Sequence, residues 1–176
     1  MRLARPVAVL DTSCVIALDA LDLMPALAML FSRVLIPKGV RTELFRRRRT
    51  KDRLVALLAE FAFPERCDDY DRGAVDVLLV ERARRGNKDR GEAEAVVQAA
   101  QEGAMVVIDD PGGRELAERH ALDCHGVLWV LRSLCGLELL SAPDLRRAVL
   151  ELKKLGIRLP VEQVSDLLRQ VGESPV

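Results

Sequence analysis

Apolar positions along the chain fall into short uninterrupted runs that alternate with stripes at helical spacing. Val7-Ala8-Val9-Leu10 is such a run, with two β-branched valines, and it suits a strand buried on both faces, as the strands of parallel sheets are. It leads straight into Asp11, with the hydroxyls of Thr12 and Ser13 behind it. Residues 15–30 carry apolar positions at helical spacing, and Asp22 and Pro25 break them into two short helices. Val34-Leu35-Ile36 predicts a second buried strand. Pro37 closes it and suits the first turn of a helix carrying Val40, Glu43 and Leu44 at spacings of three and four.

Further on, residues 54–61 read as an amphipathic helix and 61–67 as a short edge strand interrupted by Pro64. Asp68, Asp69 and Asp71 make an acidic turn, read as a surface loop, before a helix over 74–85 that ends at Gly86-Asn87. Asp89-Arg90-Gly91-Glu92-Ala93-Glu94-Ala95 opens an alanine- and valine-rich helix that runs to about Glu102 and stops at Gly103. Acids suit a first turn electrostatically, and Asp89 is placed to cap it. Residues 105–108 predict another buried strand, ending in Asp109 and Asp110. Helix follows at 115–120, a short strand or turn at 123–126, and helix at 127–135 ending at Gly136. Amphipathic helices over 144–154 and 161–171, separated by Gly156 and Pro160, form a C-terminal helical tail from about residue 144. Strands alternating with helices predict a parallel sheet with helices on both faces and right-handed crossovers. With no repeat or shift in composition, residues 1–176 read as a single domain.

Composition narrows the functions available. At 176 residues the chain is long enough to bury roughly 70% of its unfolded surface, so it needs no covalent staple. Aromatic residues are only 3%, so aliphatic side chains fill the core, and a base-stacking platform of aromatic rings is not expected. Lys plus Arg balance Asp plus Glu at 27 each, so nucleic acid must be drawn by a local patch and not by the whole field. Four consecutive arginines, Arg46, Arg47, Arg48 and Arg49, with Lys51 and Arg53, are the one basic cluster. They read either as a solvated face or as a patch for RNA phosphates. Cys14, Cys67, Cys124 and Cys135 show no Cys-x-x-Cys pair and read as buried thiols in a reducing cytoplasm. Cys124 with His120 and His125 lacks a fourth ligand at zinc spacing. Asp11, Asp19 and Asp22 interrupt the N-terminal apolar run and exclude a signal peptide, and no stretch approaches the ~18 apolar residues of a membrane span. A cytoplasmic protein is expected.

Two buried strands that both end in acids are a specific coincidence. Neighbouring strands lie about 4.8 Å apart, so if these two are adjacent, Asp11 and Asp109 or Asp110 bring carboxylates within reach of one ion. Carboxylates that close repel unless a cation neutralises them, which hard divalent ions do through oxygen ligands. Glu43 from a helix edge and Glu92 from a helix start are the candidate third and fourth acids. Glu94 points about 200° around the helix from Glu92, so only one of the two faces the ion. A metal held this way activates water and clamps phosphate oxygens, the chemistry of phosphodiester hydrolysis.

Asp11-Thr12-Ser13 after a buried strand, Glu43 on the next helix, Gly91-Glu92-Ala93-Glu94-Ala95 opening a later helix and Ile108-Asp109-Asp110 ending a strand together resemble the PIN-domain nucleases. Within them the chain is most similar to the VapC-like toxin-type proteins of prokaryotes. The tail from Gly156-Ile157-Arg158-Leu159 to Gly172-Glu173 resembles that subgroup too, so the likeness covers nearly the whole chain. It implies a three-layer α/β/α sandwich with a central, mainly parallel sheet. It also implies a homodimer and RNA cleavage with Mg²⁺ or Mn²⁺ held by three or four acids. Residue by residue, Asp11 matches the first acid, Glu43 the second and Glu92 the third, a longer-armed variant of the usual Asp. The fourth is Asp109 by the strand boundary, or Asp110 by the spacing from Glu92. Thr12 or Ser13 resembles the hydroxyl that orients metal water or phosphate beside the first acid.

The expected activity is therefore a metal-dependent endoribonuclease with no side-chain nucleophile, the toxin of a toxin–antitoxin pair whose small antitoxin blocks the crevice. The alternative is a catalytically weak or silent RNA-binding or regulatory protein that keeps the fold. An aspartyl-phosphate enzyme ranks third, because the acid such enzymes need two residues after the first is here Ser13.

Overall fold

The computed structural model describes residues 5–46, 65–83 and 89–175. The strands among them are β1 (Val7–Leu10), β2 (Arg33–Pro37), β3 (Glu65–Cys67), β4 (Met105–Val107) and β5 (Cys124–His125). The helices are α1 (Thr12–Ala20), α2 (Leu27–Leu30), α3 (Lys38–Arg46), α4 (Arg72–Ala83), α5 (Arg90–Glu102), α6 (Pro111–Arg119), α7 (Val127–Gly136), α8 (Ala142–Lys154) and α9 (Val161–Gln170). The strands form one sheet in the order β3-β2-β1-β4-β5, and every pairing is parallel. Helices cover both faces, so the architecture is the expected α/β/α sandwich. The amphipathic helix expected over 54–61 lies outside the described residues.

The side-chain period of two divides the central strands between two cores. Ala8, Leu10, Val34, Ile36, Met105 and Val107 face one side, against α1, α7, α8 and α9. Val9, Leu35 and Val106 face the other, against α4, α5 and α6. This explains why the β1 run shows no polar alternation: neither face meets water. The tail helices belong to the first of these cores. Leu145, Val149 and Leu152 of α8 and Val164 and Leu168 of α9 are buried in it. Helix α5 is buried from Gly91 through Ala99, and its alanines keep it slim enough to lie between the sheet, α3, α4 and α6. It ends at Gly103, whose φ of 60° is the left-handed cap that glycine adopts without strain.

Two helices begin earlier than the apolar pattern indicates, both at a capping aspartate. Helix α1 starts at Thr12 because the Asp11 side chain accepts the backbone N–H of Cys14 at 2.9 Å. Helix α6 starts at Pro111 behind Asp110, with proline in the first turn, where its missing N–H costs nothing.

The strand order reverses between β1 and β4, whose leading connections leave in opposite directions. In sheets of this kind the crevice outside the strands' carboxyl ends at that point is the place for a ligand. Asp11 stands at one lip of it and Asp109 at the other.

Candidate active site

β1 and β4 are direct neighbours, with Leu10 opposite Val107, and the Asp11 N–H continues the ladder to the Val107 carbonyl at 3.1 Å. Asp11 is only 3% exposed. Its carboxylate also accepts the Ser13 hydroxyl at 2.9 and 3.0 Å. Burial pushes its pKa up to about 6, against the pull of the Cys14 N–H, the Ser13 hydroxyl and the Cys14 thiol, and with a further push from Asp109.

Asp109, two residues past β4, accepts the Val127 N–H at the start of α7 at 3.1 and 3.2 Å, and the Cys14 thiol donates to it at 3.3 Å. Burial raises its pKa too, while Val127, Cys14 and the Arg114 guanidinium hold it down. Gly126 makes this placement possible, since a Cβ there would lie 2.1 Å from the Asp109 Oδ1. Cys14, fully buried and flanked by both carboxylates, has its thiol pushed well above the ordinary range and stays a proton donor between them. The sequence identified it only as a buried thiol.

Asp110 turns outward. It is exposed and caps α6 by accepting the N–H groups of Gly112 at 2.8 Å and Gly113 at 3.3 Å.

Glu92 stands in the first turn of α5, 6% exposed, with its own N–H capped by Asp89 at 3.3 Å. Its carboxylate lies where Gly113 leaves room, 3.3 Å from the Cβ that residue lacks. Glu43, half-buried on α3, accepts the Thr12 hydroxyl and the Gly91 N–H, the latter at 3.1 Å. Burial raises its pKa, opposed by the Thr12 hydroxyl and reinforced by the Asp89 carboxyl. Thr12 therefore ties the Asp11 loop to Glu43, and Ser13 steadies Asp11; both hydroxyls are engaged with carboxylates. Among the described residues, no three Asp, Glu, His or Cys groups converge closely enough to form a ready-made metal cage.

Glu94 faces away from Glu92, as the helical period requires, and is 2% exposed. It accepts the Gly39 N–H, the Arg90 Nε at 2.7 Å and the Tyr70 hydroxyl. Tyr70 is thereby buried in the turn that reads from sequence as a surface loop. In that turn Asp68 pairs with Arg41, and Asp71 caps α4 through the Ala74 N–H at 3.0 Å. Sequence reasoning missed Tyr70, Arg90 and the role of Glu94. Gly39 and Gly91, two glycines in first turns where alanine would be the better helix former, are the signal that marks the close approach.

The cysteine and histidine near residue 124 make no metal site. His125 stacks on Trp129 with centroids 4.3 Å apart and pairs with Asp123 at 2.9 Å. All four cysteines are free thiols. Arg46 is exposed at the end of α3; Arg47, Arg48 and Arg49 lie outside the described residues. Among the described residues no helix is long and apolar enough to cross a membrane.

Acids thus end two adjacent strands of a parallel sheet, and the family comparison says which fold family this is. The model of the DUF3368 family, described as a PIN domain, matches residues 7–173, and the chain belongs to that family. PIN domains are generally nucleases, so hydrolysis is the general kind of chemistry this fold carries. Comparison with curated proteins finds none that matches the chain.

Proposed function

We propose that the protein is a metal-dependent endoribonuclease of the cytoplasm. The observation that carries this reading is the pair Asp11 and Asp109: two carboxylates from adjacent strands, both raised in pKa by burial, at the point where the strand order reverses. Buried like charges leave a site short of positive charge, because the Arg114 guanidinium offsets the burial of Asp109 only in part. Its donors are carboxylate oxygens, and the one sulfur present, Cys14, stays protonated. That donor set fits a hard ion such as Mg²⁺ or Mn²⁺, which keeps several waters and takes only one or two carboxylates directly, so a closed cage is not required.

Asp11, Asp109 and Glu92 are the residues to hold the ion, with Glu43 behind them and Asp110 serving as the cap of α6. When bound, the ion supplies Lewis-acid stabilisation of charge on the phosphate and lowers the pKa of water. The protein's own groups do the positioning. Ser13 and the Cys14 N–H fix the Asp11 carboxylate, Val127 fixes Asp109, and Thr12 with Gly91 fixes Glu43. Thr12 and Ser13 spend their hydroxyl protons on the Glu43 and Asp11 carboxylates and act as positioning groups, and water is the attacking group.

Resemblance to the VapC-like subgroup extends the reading to a homodimer and to the toxin of a toxin–antitoxin pair, with a small antitoxin covering the crevice. Cleavage of a labelled single-stranded RNA with Mg²⁺ or Mn²⁺ tests the chemistry. The wild type should cut and lose activity in EDTA, and Asp11→Asn should be inert. Identical traces from wild type and Asp11→Asn favour the second reading, a silent RNA-binding protein. That reading draws on Asp109 being engaged with α7 and on the absence of a preformed cage among the described residues. Growth arrest on expression, relieved by the product of an adjacent short reading frame, tests the toxin role, and light scattering tests the dimer.

A further inference from the structure

Beside the acidic crevice lies a cavity of about 310 Å³ between α3, the turn before α4, and α5. Four cations line it: Lys38, Arg46, Arg72 and Arg90. Arg90 is engaged by Glu94 and, at 3.7 Å, by Asp76. Lys38, Arg46 and Arg72 form no ion pair with any carboxylate among the described residues. The floor is Glu94, whose charge is absorbed by Gly39, Arg90 and Tyr70. Glu43 belongs to both places, since it lines the cavity and is held by Thr12 next to Asp11.

We propose that this cavity is a subsite for a backbone phosphate of single-stranded RNA, flanking the phosphate in the acidic crevice; the assignment rests on the ribonuclease reading. A crevice of carboxylates repels a polyanion, so the strand must be held by cations beside it. Unpartnered cations around a concavity raise the local concentration of anions. Contacts of this kind set register and carry no sequence preference. With aromatics at 3% of the chain, stacking is not the main grip, which leaves the backbone charge. Lys38 and Arg72, at the starts of α3 and α4, are the two residues that grip the phosphate.

The test is fluorescence anisotropy of a labelled oligoribonucleotide in EDTA, on full-length Asp11→Asn protein so that nothing is cut. Lys38→Gln and Arg72→Gln are each expected to weaken binding about five-fold or more and to flatten the dependence of log K on log salt by about 0.7. Arg158→Gln, which removes an exposed charge outside the cavity, should do neither. Unfolding midpoints equal to the parent's confirm that the fold is kept. If wild type cleaves RNA while the Lys38→Gln/Arg72→Gln double variant binds with unchanged affinity and salt slope, the subsite is overturned and the nuclease reading stands. If wild type neither binds nor cleaves RNA, both fall. Displacement of the RNA from the cavity by an acidic peptide that binds more tightly than RNA also overturns the subsite.

Discussion

Glu94, buried in α5, takes the backbone N–H of Gly39 in the first turn of α3, and its carboxylate fills the space a side chain at residue 39 would occupy. Glu43 of α3 makes the reverse contact with the N–H of Gly91 in α5. The two helices are thus cross-linked by a pair of carboxylate-to-glycine bonds, and Glu43, the proposed second acid, is one of the links.

Gly39→Ala tests this clamp. The added Cβ would lie 2.7 Å from the Glu94 Oε2 and 3.2 Å from the Gly91 Cα. The second neighbour is backbone, so the helices must part. Overpacking costs about 1–3 kcal/mol, which outweighs the gain of about 1 kcal/mol that alanine ordinarily brings to a helix. A lower urea midpoint is the expected result, and a higher one would show that α3 and α5 are not held this closely.

Gly126→Ala acts on Asp109. A Cβ 2.1 Å from its Oδ1 drives the carboxylate off the Val127 N–H. A misplacement of about 1 Å costs on the order of 100-fold in rate. RNA cleavage should fall by that order while circular dichroism keeps its helical signal.

Asp109 and Asp110 separate by substitution. Asp110→Ala removes the cap of α6 and should cost about 1 kcal/mol of stability, whereas Asp110→Asn keeps a capping acceptor and should be close to neutral in both stability and cleavage. Asp109→Asn should cut no better than Asp11→Asn. Loss of cleavage in Asp110→Asn with retention in Asp109→Asn would reverse the two assignments.

Asp11 gives the metal-free protein a pH signature. Its folded pKa of about 6 lies above the ordinary value of 3.8, so the folded state binds the proton more tightly than the unfolded state. Below both values the group contributes nothing. Between them its burial becomes progressively destabilising, and above about pH 6 the cost is complete at about 3 kcal/mol. Asn caps helices as well as Asp does. In EDTA, Asp11→Asn should therefore exceed wild type in stability at pH 7.5 and match it near pH 4, as read from urea unfolding.

Metal binding is expected to offset what ionisation costs. Mg²⁺ or Mn²⁺ binding only the folded state should raise the thermal midpoint of wild type at pH 7.5 and leave that of Asp11→Asn unchanged. Equal shifts in the two proteins would mean the ion binds elsewhere.

The strands and the acids that end them were legible because both signals are local: an apolar run, then a carboxylate. Glu43 and Glu92 were candidates through the family resemblance, and Asp89 was legible as a cap through its position before a helix. Which of Asp109 and Asp110 turns inward was not, because the inward placement of Asp109 depends on the space left by Gly126, which follows in a different element. Tyr70 was hidden for the same reason. In a turn with three aspartates it reads as solvated, and only the approach of Glu94 from α5 gives its hydroxyl a buried acceptor. The cavity lined by Lys38 and Arg72 has cations from two helices, with the four-arginine run drawing attention away from both.

The Cys14–Asp109 contact joins residues 95 apart in sequence. β4 must insert beside β1 after β2 and β3 have been made, so the two lips of the crevice meet only when the last central strand docks. Non-local parallel pairing of this kind is slow to form. A chain emerging from the ribosome thus carries its first acid from the outset but acquires a crevice only after β4 and the start of α7 have been synthesised.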